Sequence, residues 1–179
     1  MELNDAMELI KIAREAIKSK KIVETRFKEK RGAFVTLHTF PEKRLRGCIG
    51  FIEPIFQLGE AIQRAAIAAA YSDPRFQPLS KEEINKVIIE ISILSKPKEI
   101  KVEELKQGDG AILEFEGRKG VFLPQVWEEL PNKEDFLNAL CLKAGLPPYC
   151  WKENIKLYKF SVEAFEEEKP NGEVKKVKI

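Results

Sequence analysis

Two segments that alternate apolar and polar residues around a short turn constrain this fold more than any other feature. The first runs from Arg31 to Phe51: Gly32 to Phe40 reads as one strand, Pro41-Glu42-Lys43 as the turn, and Arg44 to Phe51 as the return. The second runs from Gly110 to Phe122 and turns near Gly117. Strands joined by a tight turn must pair antiparallel. A regular βαβ array is therefore excluded, and the fold class is α+β with mostly antiparallel sheet flanked by helices.

The helices read from their own period. Leu3, Ala6, Met7, Ile10, Ala13 and Ile17 share one helical face, so a helix is expected to about Ser19, with Asn4 or Asp5 as cap. An alanine-rich helix follows from about Phe56 to Ala70, small enough along one side to pack closely on a sheet. Tyr71-Ser72-Asp73-Pro74-Arg75-Phe76 ends it, because proline turns the preceding residue away from helix. Val87 to Leu94 is rich in β-branched residues and reads as a buried strand. Leu123-Pro124-Gln125-Val126 leads into a short helix. Lys133 to Ala144 is a helix with Asn132 as cap and Gly145 as stop. Tyr158 to Phe165 reads as a last strand, and the charged tail from Glu166 as frayed.

With 179 residues, 44% of them hydrophobic, the chain suits one domain over residues 1–179, with a sizeable core. The charged share, 34%, exceeds the usual quarter or so, and Lys and Glu dominate it, as in proteins of hot environments. Net charge is only +2, so no strong basic excess marks a dedicated nucleic-acid binder. The stretch from Lys11 to Arg31 holds nine Lys or Arg residues, yet Phe27 stands there as an isolated aromatic with no series for base stacking. No apolar run approaches the roughly 20 residues that cross a bilayer, and the acidic start is unlike a signal peptide. A cytoplasmic protein away from membranes is expected.

The three cysteines, Cys48, Cys141 and Cys150, form no disulfide framework. Cys141 falls on the apolar stripe of its helix; Cys150, beside Trp151 after Pro147-Pro148, has no assigned partner. A Cys141–Cys150 bridge is the alternative open to a thermophile. His38 is the single histidine, and no CxxC, HxxxH or HxxE spacing occurs, so neither a Cys/His metal site nor a cofactor is expected. A carboxylate site for magnesium is left open by composition.

The first hairpin carries the chemistry. If Phe40 pairs with Arg44, Thr36 lies opposite Cys48 and His38 opposite Arg46. One face then holds Ala33, Val35, Leu37, Leu45, Ile49 and Phe51; the other holds Phe34, Thr36, His38, Arg46, Cys48 and Gly50. A guanidinium near Cys48 would favour its thiolate, with His38 as a base. Gly47 and Gly50 admit either a ligand or the alanine-rich helix. Cys48 can equally be a small apolar filler. Asp73 and Arg75, at the helix stop, either bond the local backbone or face the same site as Arg46.

Arg31-Gly32-Ala33-Phe34-Val35-Thr36-Leu37, then Leu45-Arg46-Gly47-Cys48-Ile49-Gly50, resembles the signature of the AMMECR domain family. The resemblance continues through Asp73-Pro74-Arg75-Phe76, Ile91 to Ser95, Leu123 to Val126, and Phe136-Leu137 to Leu140 through Leu146. It implies an α+β fold of two lobes with a cleft between them near the signature, and it brings no established activity. Some microbial relatives are encoded beside, or fused to, a Memo-like protein and a radical S-adenosylmethionine enzyme, which suggests a shared modification pathway.

The expectation is a module that binds a small anionic ligand or a protein partner beside Arg46, Gly47, Cys48 and Gly50, with Asp73 and Arg75 nearby. An enzyme using the Cys48 thiolate is the second reading, and nucleic-acid binding the third. Oligomeric state is not legible.

Overall fold

The computed structural model describes residues 1–178. Its elements, in chain order, are α1 (Leu3–Ser19), β1 (Ala33–Thr39), β2 (Leu45–Phe51), α2 (Leu58–Tyr71), α3 (Lys81–Ile84), β3 (Val87–Leu94), β4 (Lys98–Ile100), β5 (Gly110–Phe115), β6 (Arg118–Phe122), α4 (Val126–Glu129), α5 (Lys133–Lys143), β7 (Lys156–Phe160), β8 (Val162–Glu167) and β9 (Val174–Val177). They divide into two compact units, one of residues 1–94 and 163–178, the other of residues 95–162. The α+β class with antiparallel hairpins is as the sequence predicts.

The first unit is built on a five-stranded sheet ordered β2-β1-β3-β8-β9. Ala33, Val35 and Leu37 of β1 and Ile89, Ile91 and Ile93 of β3 turn to one side, where α1 and α2 cover them. The opposite face carries Phe34, Thr36 and His38 beside Ser92, Glu90 and Ile88. The amphipathic period of α1 buries Ala6, Leu9, Ile10, Ala13 and Ile17 in this core. Its N-cap is Glu2, which makes no side-chain cap bond, so neither Asn4 nor Asp5 caps it. The alanines of α2 have the predicted effect. An ideal Cβ placed on Gly47 would lie 2.2 Å from the Ala69 carbonyl oxygen, so helix and strand meet backbone to backbone.

Two expectations about the C-terminal region are corrected. The segment read as one strand from Tyr158 to Phe165 is two, β7 and β8, interrupted at Ser161 and paired into different sheets. Ser161 is held by Ser95, whose Oγ accepts its N–H at 2.8 Å and whose own N–H donates to its carbonyl at 2.8 Å. The tail is not frayed at Glu166: Glu166 and Glu167 are buried, and the chain returns as β9. Glu167 escapes the usual cost of a buried charge because Arg14 Nη2 donates to its Oε2 at 2.5 Å and the Ile89 N–H donates to the same oxygen at 2.9 Å. Arg14 also donates to the carbonyls of Ile84 and Val87. One guanidinium thus ties α1 to α3, β3 and β8.

The second unit has a four-stranded sheet ordered β4-β7-β5-β6, covered by α5. Asn132 caps α5 as predicted, accepting the Asp135 N–H at 3.1 Å. Trp127 stacks on Phe136 with ring centroids 3.8 Å apart. Cys150 does have a partner. It is bonded to Cys141, nine residues earlier. After α5, Gly145 takes φ +77, and the chain doubles back so that the Cys150–Lys152 turn lies against the helix end. Helical period alone placed Cys141 in the core, where it lies, but could not show this reversal.

Breaking the buried pair with Arg14→Ala or Glu167→Ala is expected to cost about 3–5 kcal/mol, because either change strands a buried charge. Arg14→Met with Glu167→Leu should lose less than the sum of the two single losses in urea unfolding; strict additivity would show that the pair is not coupled. The loop closed by Cys141–Cys150 is short, and chain entropy gives it about 2–3 kcal/mol. Cys150→Ser should lower the unfolding midpoint accordingly and remove its sensitivity to dithiothreitol, as measured by thermal melts with and without reductant.

Candidate functional site

Strand register brings the Cys48 side chain to the sheet face that α2 does not cover. Thr36 stands opposite Cys48 on one side and opposite Glu90 on the other, as predicted for the Thr36–Cys48 pair. Thr36 Oγ1 lies 3.2 Å from Cys48 Sγ. The thiol is free and half-buried.

Two residues further on, the predicted register fails. Leu37 pairs with Gly47, but His38 pairs with Leu45, so a bulge leaves Arg46 as the extra residue. A bulge adds one residue to one strand and reverses the phase beyond it. Leu45, expected in the core, is consequently 40% exposed. His38 does not stand opposite Arg46; its ring is close to Glu90 and Glu166 instead. Burial pushes the His38 imidazole below its ordinary pKa.

β2 is an edge strand, and the turn that ends α2 covers it. Asp73 Oδ2 accepts the Cys48 N–H at 3.0 Å, and Arg75 Nη2 reaches the Cys48 carbonyl at 3.5 Å. Side-chain groups thus occupy the donor and acceptor that a further strand would use. Asp73 also accepts from Arg75 three times, from its N–H at 3.0 Å, Nε at 3.1 Å and Nη2 at 2.8 Å. The Arg75 guanidinium, helped by the Cys48 N–H, holds the buried Asp73 carboxyl well below the usual carboxylate range. Asp73 thus bonds its local backbone and also reaches across to the Cys48 N–H.

Arg46 is engaged by Glu83 of α3, with Nε to Oε2 at 3.0 Å and Nη2 to Oε1 at 3.2 Å. Its Nη1 is buried without a hydrogen-bond partner among the described residues. The same pairing lowers the Glu83 pKa. The guanidinium carbons of Arg46 and Arg75 lie 5.9 and 5.4 Å from the centroid of the Phe76 ring. Glu83 and Phe76 belong to the site and were not singled out from sequence. Ser80-Lys81-Glu82-Glu83 is a capping-box pattern that could have announced a short helix there, and the structure forms that box.

The space opened by the two glycines is filled by the protein. Gly47 admits the Ala69 backbone, and an ideal Cβ on Gly50 would lie 2.3 Å from the Phe34 ring. In the basic stretch, Arg14 is buried on Glu167, Arg26 bonds Asp5 and Glu8, and Lys28 bonds Glu24. Among the described residues, no helix is long and apolar enough to cross a membrane.

The AMMECR1 family model matches residues 6–165. Protein MJ0810 of Methanocaldococcus jannaschii is 50% identical over 163 residues, covering 86% of this chain and 81% of that protein. A protein of Aquifex aeolicus is 42% identical over 172 residues, covering 91% and 88%. The crystal structure of the uncharacterized protein PH0010 from Pyrococcus horikoshii aligns with a TM-score of 0.79 at 41% identity, over 100% of this chain and 99% of that one. These relatives come from thermophilic archaea and bacteria.

A carboxylate whose pKa is depressed by folding stabilises the native state above its unfolded pKa, near 4, and loses that contribution as pH falls toward the folded value. Asp73→Asn should therefore be less stable than the parent at pH 7, with the difference shrinking on acidification below about pH 4. Urea midpoints measured from pH 7 to pH 2 check this; a constant difference would mean that Asp73 acts by packing alone.

Proposed function

This chain belongs to the AMMECR1 family, and on that footing we propose that it is a binding module that takes a small anionic ligand, a carboxylate or a phosphate, at the covered edge of β2 beside Cys48. One observation carries this reading. Two guanidinium groups lie 5.9 and 5.4 Å from the Phe76 ring centroid, the nearer of them bonded to the backbone of a half-buried thiol residue: Arg75 has a side chain that is 55% exposed, and Arg46 has a buried Nη1 with no hydrogen-bond partner among the described residues. Glu83 and Asp73 hold the two groups in place. Donors fixed beforehand lose little freedom when an anion binds, and bonds from a guanidinium to an anion are the stronger kind.

A ligand reaching this edge touches Arg75 first, and then Arg46 through Nη1 while Glu83 keeps Nε and Nη2. A cytoplasmic setting and a place in a modification pathway with Memo-like and radical S-adenosylmethionine proteins agree with this role and are part of the proposal. So is a thermophilic source, which the organisms of the relatives support. The nucleophile reading of Cys48 is the weaker one, since the recorded partner of its sulfur is Thr36 and the intended base, His38, sits among carboxylates. Nucleic-acid binding ranks last, because acidic neighbours answer much of the basic stretch.

The test is a thermal-shift titration with citrate, inorganic phosphate, pyrophosphate and adenosine nucleotides. At least one should raise the parent's melting temperature with a saturable dose curve. Arg75→Gln should weaken that ligand by about tenfold or more, the worth of one charge-assisted bond. Equal affinity in Arg75→Gln and Arg46→Gln, or no shift of the parent by any of these anions at millimolar concentration, would dismiss the reading.

A further inference from the structure

Away from the β2 edge, the same uncovered face of the first unit's sheet gathers a second set of groups. His38 projects from β1, Glu90 from β3 and Glu166 from β8, three strands that are neighbours in the sheet. One ligand atom from each lies within 4.8 Å of the others. We propose that His38, Glu90 and Glu166 form a binding site for a divalent transition-metal ion, zinc or manganese, with at least one coordination position open to water or substrate.

The groups are placed as a site and not as a solvated acidic patch. Glu166 is only 5% exposed, and His38 and Glu90 are half-buried. His38 Nδ1 is buried with no hydrogen-bond partner among the described residues, which is rare for a polar atom out of water. Two ionised carboxylates brought together away from water repel one another. A dication relieves that repulsion and uses the imidazole nitrogen in one step.

Lys43 now supplies part of the countercharge, its Nζ donating to Glu166 Oε1 at 2.9 Å, with Lys175 at 3.7 Å. Both lysines are about half exposed, so they can swing to water when a metal enters. One nitrogen and two carboxylate oxygens suit a borderline ion better than calcium or magnesium, which take oxygen alone. Metal bonds of about 2.0–2.2 Å need donor atoms roughly 3–3.5 Å apart, a closure that side-chain rotation supplies. Three protein ligands leave a vacancy, the arrangement of catalytic rather than structural metal sites.

The test uses the full chain, stripped with EDTA and dialysed, titrated calorimetrically with zinc chloride and with manganese chloride, and in parallel with cobalt chloride to read ligand-field bands. One ion per chain is expected. His38→Gln and Glu90→Gln should each weaken it by at least about 100-fold, with unchanged circular dichroism, and the cobalt spectrum should change in His38→Gln. Cys48→Ser should bind like the parent, which separates this site from chance thiol capture. Absence of binding tighter than millimolar in the parent, or unchanged affinity in His38→Gln, would overturn the proposal; if Glu90→Gln unfolds, Glu166→Gln stands in its place. None of these outcomes bears on the anion site, whose assay reads Arg75.

Discussion

The contact on which the site depends is the backbone approach of α2 to β2, where Gly47 meets Ala69. It sets the phase of the ribbon: Gly47 turns toward the helix, so its neighbour Cys48 turns away, toward Thr36. It also decides where α2 releases the chain. A helix lying that close ends beside the strand edge, and the next residues, Ser72 to Phe76, have nowhere to run but along it. Asp73 then meets the Cys48 N–H, and Arg75 follows two residues later. The small side chains of α2 are thus a positional device as much as a packing one, since a larger residue at either point would lift the helix and carry Asp73 out of reach.

Charge is handled differently on the two sides of this sheet. On the helix side the buried charge is a closed pair, Arg14 with Glu167. It is reinforced by backbone groups, which is the condition under which a buried ion pair holds a structure together. On the opposite face the arrangement is open. Glu90 and Glu166 are adjacent, the His38 ring has an unbonded nitrogen, and the countercharge comes from lysines that reach in from solvent. Closed pairs suit scaffolding, and open sets suit ligands. The two candidate sites differ in the same way: the β2 edge offers donors fixed by their own carboxylates, whereas the histidine cluster offers acceptors answered by solvent-reaching lysines.

Much of the fold was legible because it rests on local rules. The periods of α1 and β3, the cap of α5 and the turn at Gly117 are each decided within a few residues. Apart from the α1 cap and the bulge at Arg46, the failures turn on the path the chain takes between elements. Tyr158 to Phe165 has the composition of one strand, and only the bond between Ser161 and Ser95 shows where it breaks. Glu166 and Glu167 look like a solvated tail until Arg14 and Lys43 are placed beside them. The Cys141–Cys150 bridge was open only as an alternative, because the reversal after Gly145 that brings the two together is a matter of backbone path.

For the candidate site, alternation alone determined that Thr36 and Cys48 share a rung, and composition alone placed glycines where a backbone comes close. It placed His38 on the right face but could not pair it, since a bulge of one residue at Arg46 reverses every β2 side chain beyond it and has no distinct residue pattern here. Sequence therefore settled the longer elements, the fold class and the family, which depend on short-range periodicity and on matching residues in order. Tertiary structure decided which charges meet: Asp73 at Cys48, Glu83 at Arg46, and Glu90 and Glu166 at His38. The reason is that electrostatic partners are chosen by distance in space, and a chain folded through two sheets makes that distance independent of position along it.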